Sequence, residues 1–250
     1  MSEGNLLSII VPAYKQEKTI IRDIKNLNRI LTSLHINYEI LIVVDGFVDK
    51  TYEILKSIKN NNIKIFGYEE NKGKGFAIKY GVSEARGETI GFIDAGMDLD
   101  PTQISIMLDI MDWNKADIVM GSKLHPESKV NYPFTRKILS WGYRTLTHAL
   151  FGFEIKDTQV GLKIFKKRVA KEVFPMIIVK RFAFDIEVLA LAHKLGYTRI
   201  YESPIKLNFK SGSITSRNFW NIIFNALWDT IAVFYRLKIL NYYSKINKTH

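Results

Sequence analysis

The sequence predicts an α/β protein with a doubly wound, mostly parallel sheet and helices on both of its faces. Three observations support this prediction. Apolar runs alternate with amphipathic stretches over roughly the first 100 residues, the runs are continuously apolar, and several of them end at an acidic residue. Central parallel strands have continuous apolar runs because helices cover both faces of the sheet. Acids that follow successive strands converge on the crevice in which such sheets bind ligands.

The first five elements alternate between strand and helix. They are expected at Leu6–Val11, Ile20–Leu34, Tyr38–Val44, Thr51–Lys59 and Ile63–Tyr68. A basic loop broken by glycines then enters a short helix at Phe76–Val82, and a further apolar strand spans Glu88–Asp94. This order is typical of the nucleotide-binding half of a doubly wound domain.

The second half of the chain carries fewer regular signals. A strand is expected at Ile118–Lys123, a helix at Asn131–Phe153, a turn and strand at Asp157–Phe165 and an apolar helix at Phe182–Leu195. A boundary near Ser211–Ser216 would separate a main domain, residues 1–215, from a tail, residues 216–250.

The tail contains an amphipathic segment, Phe219–Leu240. It has the length of a membrane span, but Asn221, Asn225, Asp229 and Arg236 argue against a spanning helix. The first three of these lie four residues apart and form one polar stripe on an otherwise apolar helix. This pattern is typical of a helix lying in a membrane interface. The alternative is a helix packed on the main domain or at a dimer contact.

The composition is that of a folded globular protein. Hydrophobic residues make up 47% of the 250 residues and charged residues 24%. The absence of cysteine excludes disulfides, thiolate metal sites and cysteine nucleophiles. The net charge of +11 favours an anionic partner, although a general bias toward lysine explains it equally well. Because Met1–Asn5 carries an acid where a signal peptide needs a basic region, we expect a cytoplasmic protein.

The segment Gly91–Pro101, reading GFIDAGMDLDP, is the strongest candidate site. Asp94 and Asp98 follow an apolar strand, and two carboxylates facing one crevice repel each other unless a cation joins them. Mg²⁺ and Mn²⁺ suit such oxygen ligands, and substrate phosphates commonly complete their coordination. Asp100 precedes Pro101 and is expected to cap the next helix.

Two further loops follow strands. Asn71–Gly75 is a basic, glycine-broken loop whose backbone amides and lysines suit a phosphate, although it has the spacing of neither a Walker A loop nor a GxGxxG fingerprint. Asp45 and Gly46 follow the second strand. They fit a nucleotide contact and an ordinary turn equally well.

These segments together resemble the polyprenyl-phosphate sugar synthases of glycosyltransferase family 2, which have the GT-A fold. IIVPAYKQEKTI is similar to the opening Val-Pro-x-Tyr-Asn-Glu motif of that family, VVDGFVDKT to its Val-Asp-Asp-Gly-Ser-x-Asp-x-Thr motif, and GFIDAGMDLDP to its Asp-x-Asp segment. NKGKGFAIKYG resembles the loop after the third strand, and GSK resembles Gly-Ser-Arg. DTQVGLKIF and FAFDIEVLALAHKLGY are most similar to the dolichyl-phosphate β-glucose synthases.

The resemblance implies inverting transfer of glucose or mannose from a UDP- or GDP-sugar to a dolichyl or undecaprenyl phosphate. It implies nucleotide-sugar contacts at Pro12, Ala13, Tyr14, Gln16, Asp45, Lys72, Gly73, Lys74, Asp94, Ala95 and Gly96. Acceptor-phosphate contacts are implied at Ser122, Lys123, Arg136, Lys163 and Lys210, with Arg136 also catalytic. The expected protein is a peripheral enzyme on the cytoplasmic face of a membrane. No nucleic-acid partner is expected, and a homo-oligomer is possible.

Several positions depart from the family motifs. Lys15 and Gln16 replace Asn-Glu, Val44 replaces the first of the paired acids, and Phe47 replaces Ser. Gly96 stands where the second acid of Asp-x-Asp is expected. Because glycine has no side chain that can bind a metal, the expected metal ligands become Asp94 and Asp98.

Two other functions compete with this one. A family 2 transferase acting on a saccharide acceptor, in cell-surface polysaccharide or glycan synthesis, would use a carboxylate base, for which Asp185 and Glu187 are the candidates. A non-catalytic basic binding module would have no use for Asp94.

Overall fold

The computed structural model describes residues 5–96, 98–130, 134–152, 155–179, 183–207 and 219–243, and the side chains of 134–141 and 219–226 lie outside this description. The strands are β1 Leu7–Ala13, β2 Tyr38–Asp45, β3 Ile63–Tyr68, β4 Thr89–Ile93, β5 Ile118–Ser122, β6 Leu162–Lys166 and β7 Ile200–Pro204. The helices are α1 Ile20–Ser33, α2 Thr51–Leu55, α3 Lys74–Glu84, α4 Gln103–Trp113, α5 Phe134–Phe151, α6 Lys167–Val173, α7 Phe184–Lys194 and α8 Phe219–Phe234. A 3₁₀ turn spans Phe174–Met176 and a π-helical segment spans Tyr235–Ile239.

The seven strands form one sheet in the order β3-β2-β1-β4-β6-β5-β7. β1 pairs in parallel with both β2 and β4, so it lies at the point where the strand order reverses. β6 runs antiparallel between β4 and β5, and β7 pairs in parallel with β5 at the sheet edge. The predicted doubly wound, mostly parallel α/β fold is confirmed.

Helices cover both faces of this sheet. Successive residues of a strand point to opposite faces, and Ile9 and Ile10 of β1 accordingly belong to two different apolar clusters. One cluster packs on α1 and α4, and the other packs on α3, α6 and α7. All eight residues of β2 are buried, as expected of a strand covered on both faces.

The sequence predicts the first five strands better than the elements at the far end of the sheet. β1 to β5 lie within two residues of their expected positions, whereas α2 ends at Leu55 and not at Lys59. Neither α6 nor β7 is predicted. β7 is an edge strand that is only partly buried, so its sequence lacks a continuous apolar run. α6 has seven residues, which is too few to display a helical period.

The described part of the tail packs on the main domain by one face. α8 contacts α5 and α7, the Tyr143 hydroxyl lies 2.8 Å from the Thr230 hydroxyl, and Val233 is fully buried. The Tyr243 hydroxyl donates a hydrogen bond to Glu187 of α7. The predicted domain boundary at residues 215 and 216 lies outside the described residues. Of the helices in the described ranges, none is both long enough and apolar enough to span a bilayer.

Candidate active site

The candidate site lies at the carboxyl ends of β1, β2 and β4. These three strands are adjacent and parallel, so the loops that follow them meet at one edge of the sheet. Their order reverses at β1, which is where an open α/β sheet forms its ligand crevice. The predicted segments after Ala13, Asp45 and Ile93 are therefore brought together by the sheet order.

Asp94 is held tightly at the end of β4. Its backbone N–H donates to the carbonyl of Gly161, 3.0 Å away, in the segment before the antiparallel strand β6. Its carboxylate lies directly against the α-carbon of Gly161. A β-carbon at position 161 would overlap Oδ2 and Cγ of Asp94 and would lie 2.9 Å from Oδ1. Only glycine leaves room for this carboxylate.

Lys74 provides the charge partner of Asp94. Its Nζ lies 2.6 Å from Oδ1, but Oδ1 has no hydrogen bond of good geometry among the described residues, so the contact is an ion pair with poor angles. Burial lowers the pKa of Lys74, but the carboxylates of Asp94 and Asp185 outweigh it and raise this pKa above its usual value. Lys74 is therefore a cation at neutral pH.

The oxygen atoms at this site fit a divalent cation. The buried Oδ1 of Asp94 lacks a well-aligned donor, and Asp98 lies exposed four residues further along the same loop. Within the described residues no group of three acidic, histidine or cysteine side chains could enclose a metal. Asp94 and Asp98 supply two carboxylates, and an ion such as Mg²⁺ or Mn²⁺ takes its remaining ligands from water and phosphate.

The loop before α3 is organised by Asp45, which is almost completely buried. Its carboxylate accepts hydrogen bonds from the backbone N–H of Lys72 at 2.7 Å and of Gly73 at 3.0 Å, and from side chains of Asn71 and Tyr68 at 2.9 Å each. These donors occupy both oxygens. Burial and the neighbouring carboxylate raise the pKa of the Tyr68 hydroxyl, which stays protonated as a donor. Asp45 therefore shapes the loop that carries Lys72, Gly73 and Lys74, and the predicted direct contact with nucleotide has no free oxygen to use.

In the segment after β1, too, most of the predicted nucleotide-binding side chains are buried or bonded within the protein. Tyr14 is exposed beyond the strand, whereas the side chain of Ala13 is buried. Gln16 donates its backbone N–H to the Thr51 hydroxyl at 2.9 Å, and its Oε1 accepts from Thr19 at 2.8 Å. Of this group, Tyr14 is the side chain available to a ligand in the crevice. Pro12 is half-buried, as are Ala95 and Gly96 in the loop after β4.

The predicted acceptor-phosphate residues have different surroundings in the structure. Ser122 is buried at the end of β5, and the Lys123 Nζ lies 3.6 Å from the carboxylate of Asp157. The ammonium of Lys163 is fully buried, bonded to Asp185 and to the carbonyl of Val160. Lys163 has no exposed surface, so its ammonium does not reach an acceptor phosphate in this arrangement, and the prediction for Lys163 disagrees with this geometry. The Arg136 side chain and Lys210 lie outside the described residues.

Asp185 and Glu187 are not exposed as a catalytic base would be. Asp185 is bonded to Lys163, and Glu187 accepts from the backbone N–H groups of Ile178 and Val179 at 3.1 and 2.7 Å. Burial raises the pKa of both carboxyl groups. Because both acids already serve as buried acceptors, the geometry does not support either as a base for a saccharide hydroxyl.

Sequence reasoning did not single out Gly161 or the buried Lys163–Asp185 pair. Gly161 lies within the motif DTQVGLKIF, but nothing local indicates that its missing β-carbon accommodates a carboxylate 67 positions earlier in the chain. The Asp100 carboxylate accepts the backbone N–H of Thr102 at 3.0 Å in the turn before α4, but Thr102 is the N-cap residue and the helix has no side-chain cap bond, so the expected cap by Asp100 is not formed.

Comparisons with known proteins show the family to which this chain is related. Residues 8–174 match the family "Glycosyl transferase family 2". A dolichyl-phosphate beta-glucosyltransferase of Dictyostelium discoideum is 35% identical over 205 residues, which are 76% of this chain and 63% of that protein. The chain thus spans somewhat less than two thirds of that relative. A UDP-N-acetylglucosamine–dolichyl-phosphate N-acetylglucosaminyltransferase of Methanococcus voltae is 31% identical and is covered over 96% of its length.

Solved structures share the fold at low identity. Glucosyl-3-phosphoglycerate synthase from Mycobacterium tuberculosis, crystallised with Mn²⁺, UDP and phosphoglyceric acid, superposes with a TM-score of 0.69 at 17% identity, over 93% of this chain and 78% of that one. Mannosyl-3-phosphoglycerate synthase from Rubrobacter xylanophilus gives a TM-score of 0.71 at 16% identity, over 94% of this chain and 75% of that one. The GT-A fold implied by the sequence motifs is confirmed. Since the family match covers most of the chain and includes β2 to β6, the Asp94 loop and Gly161, this chain belongs to glycosyl transferase family 2.

Proposed function

We propose that this chain transfers a hexose from a nucleotide-diphosphate sugar to dolichyl phosphate or a similar polyprenyl phosphate. The observation that carries the proposal is the Asp94 carboxylate at the crevice, packed on Gly161 and paired with Lys74. The names of the relatives support the acceptor class, and glucose is the first sugar to test. N-acetylglucosamine is the second candidate, because the relative named for it is matched over almost its whole length.

The residues have distinct roles in this reaction. Asp94, with Asp98, would hold a Mg²⁺ or Mn²⁺ ion, and the bound ion would neutralise charge on the departing diphosphate. Lys74, which pairs with Asp94, would face the same anion. An acceptor phosphate oxygen forms the bond to the anomeric carbon as the bond from that carbon to the diphosphate breaks. A single displacement of this kind inverts the anomeric configuration and releases the nucleoside diphosphate.

The acceptor phosphate needs positive charge more than it needs a base, because it is already an anion. Arg136 and Lys210 keep their predicted roles as phosphate ligands, with Lys123 just after the end of β5. The burial of Asp185 and Glu187 supports this assignment over a saccharide acceptor. A non-catalytic module would leave the Asp94–Gly161 packing without a purpose.

The first test is incorporation of radiolabelled sugar into lipid. Purified protein, Mn²⁺, dolichyl phosphate and UDP-glucose should give label that extracts into organic solvent, with parallel reactions containing UDP-N-acetylglucosamine and GDP-mannose. EDTA should abolish the signal. Label that remains water-soluble with a saccharide acceptor would refute the lipid acceptor. No transfer to either acceptor, with nucleotide binding indifferent to EDTA, would favour the non-catalytic module.

We also propose that the tail rests on the cytoplasmic face of a membrane. Along α8 and the π-helical segment, Trp228, Ile231, Tyr235 and Ile239 are spaced by three or four residues and are between 48% and 66% exposed. This spacing puts them on one face, opposite the buried Val233 and Leu237. An exposed apolar stripe beside basic residues suits the interface of an anionic bilayer, where a lipid acceptor would also lie.

Replacing Trp228, Ile231 and Ile239 by serine should reduce co-sedimentation with vesicles of phosphatidylcholine and phosphatidylserine at least about tenfold. Each deleted side chain removes apolar area that the bilayer would otherwise bury. Transfer to a short, water-soluble polyprenyl phosphate should stay within about twofold. Trp113→Ser is the matched control, because Trp113 is 80% exposed on α4. Equal vesicle binding by both variants would contradict the tail proposal.

A further inference from the structure

Lys163 and Asp185 form a buried ion pair beneath the candidate site. Lys163 is the second residue of β6 and has no exposed surface, and Asp185 lies in the first turn of α7 and is 4% exposed. The Lys163 ammonium donates to the Asp185 carboxylate and, at 2.7 Å, to the carbonyl oxygen of Val160. The pair therefore joins the sheet, α7 and the segment before β6 at one point.

Burying such an ion pair costs free energy because both charges lose their hydration. Burial raises the pKa of Asp185 and lowers that of Lys163, which means that the surroundings disfavour both charges. Two apolar side chains of similar size would often give equal or greater stability at such a position. Stability alone is thus a weak reason for these residues, and the geometry around them suggests a better one.

The second partner of Lys163 leads directly to Asp94. The carbonyl of Val160 belongs to the peptide group that continues into Gly161. Gly161 in turn accepts the backbone N–H of Asp94 at 3.0 Å and packs its α-carbon against the Asp94 carboxylate. An ammonium that fixes the Val160–Gly161 peptide group therefore fixes the surface on which the Asp94 carboxylate rests.

A second connection runs through Phe92 and Lys74. The centre of the Phe92 ring lies 5.4 Å from the ammonium of Lys163 and 5.7 Å from that of Lys74. Asp185 attracts Lys74 as well as Lys163, and Lys74 pairs with Asp94. Both neighbours of the Asp94 carboxylate, Gly161 and Lys74, are thus linked to the same buried pair.

We propose that the Lys163–Asp185 pair positions Asp94 by holding the Val160–Gly161 peptide group against its carboxylate. The proposal rests on the function given above, in which Asp94 binds the metal and the sugar diphosphate. Lys163 and Asp185 touch neither substrate nor metal in this arrangement. Their effect is on the direction of the Asp94 carboxylate, and hence on metal affinity.

The test replaces the pair by apolar residues of similar size, Lys163→Met together with Asp185→Leu. Removing both charges avoids leaving one buried and unpaired, so the melting temperature should stay within a few degrees of wild type. Binding of UDP is then measured by calorimetry as a function of Mn²⁺ concentration. The Mn²⁺ midpoint should rise at least about tenfold because the peptide group that supports Asp94 is no longer held. A purely structural pair would leave the midpoint unchanged, which would overturn the proposal.

A control and a background variant separate positioning from general destabilisation. Tyr243→Phe removes a buried hydrogen bond to Glu187, two residues from Asp185, and should leave the Mn²⁺ midpoint within about twofold. Adding the double substitution to Asp94→Asn should weaken UDP binding no further, because a device acting through a carboxylate has no effect once that carboxylate is gone. Additive losses would overturn the proposal.

The remaining outcomes are also decisive. If the Met and Leu variant does not fold, Lys163→Gln with Asp185→Asn removes both charges and keeps polar groups, and the same rise in the Mn²⁺ midpoint is expected. An unchanged midpoint in that variant rejects the positioning role. If the wild-type protein binds UDP equally well with Mn²⁺ and with EDTA, the proposed metal function itself fails, and this inference falls with it.

Discussion

Asp94→Asn is expected to reduce sugar transfer by about 10³-fold or more and to remove the Mn²⁺ dependence of nucleotide binding. The amide keeps the shape that packs on Gly161 but loses the charge that attracts a cation. Removing a single group that stabilises charge in a transition state typically costs about 10²–10³ in rate, and loss of the metal adds to this. Steady-state transfer assays and calorimetric titration with UDP and Mn²⁺ measure the two effects.

Stability should change little in the same variant. The ion pair of Asp94 with Lys74 is partly exposed on both sides, and pairs of this kind contribute less than about 1 kcal/mol. Asp100→Asn is the matched control on the same loop. Its carboxylate accepts a hydrogen bond in the turn before α4, so transfer should remain within about threefold of wild type. If Asp94→Asn retains full metal-dependent activity, the site is misassigned and the metal must bind elsewhere.

Gly161→Ala should impair transfer at least about 100-fold although position 161 carries no chemical group. The added methyl group would overlap Oδ2 and Cγ of Asp94, and the short aspartate side chain can relieve that overlap only by turning away. The backbone of residue 161 requires no positive φ, so the effect is confined to this contact. A displacement of about 1 Å in a catalytic group is enough to cost about 10²-fold in rate.

The matched control for this substitution is Gly142→Ala on the exposed surface of α5. No atom lies within 4 Å of a β-carbon there. Alanine in a helix is favoured over glycine by about 0.5–1 kcal/mol, so this variant should be fully active and slightly more stable. Raising the Mn²⁺ concentration should partly rescue Gly161→Ala, since its ligand is displaced and not removed. Wild-type kinetics for Gly161→Ala would show that the carboxylate can leave Gly161 without consequence.

The parallel half of the sheet was predictable because its signals are local. β2 and β4 contain continuous apolar runs, and Asp94 follows β4 directly. The antiparallel position of β6 was not predictable, since its short apolar segment does not indicate which strand it will join. That insertion is what brings Gly161 beside Asp94.

Local sequence also failed to reveal which charged side chains are exposed. Lys163 and Asp45 are charged residues, and both lie in motifs that predict contact with a ligand. In the structure both are buried: Lys163 is bonded to Val160 and Asp185, and Asp45 is bonded to the loop before α3. The direction in which such a side chain points depends on neighbours 22 to 28 residues away, which no local pattern encodes.

For the tail, too, the sequence and the structure each gave a different part of the answer. Its amphipathic period was visible in the sequence, which left membrane contact and packing on the main domain as alternatives. The structure places one face against α5 and α7 and leaves a second apolar face exposed, so packing accounts for only part of the pattern.

The sequence by itself determined the fold class and the family, and it identified the segment GFIDAGMDLDP as the candidate site. Runs of apolar residues and acids at strand ends are properties of contiguous residues, and they persist wherever the strand is placed. Only the tertiary structure decided that Asp94 packs on Gly161, that Lys74 neutralises it and that the Lys163–Asp185 pair lies beneath both. Those contacts join strands and helices distant in sequence, and they arise because the sheet order β1-β4-β6 brings the segments together.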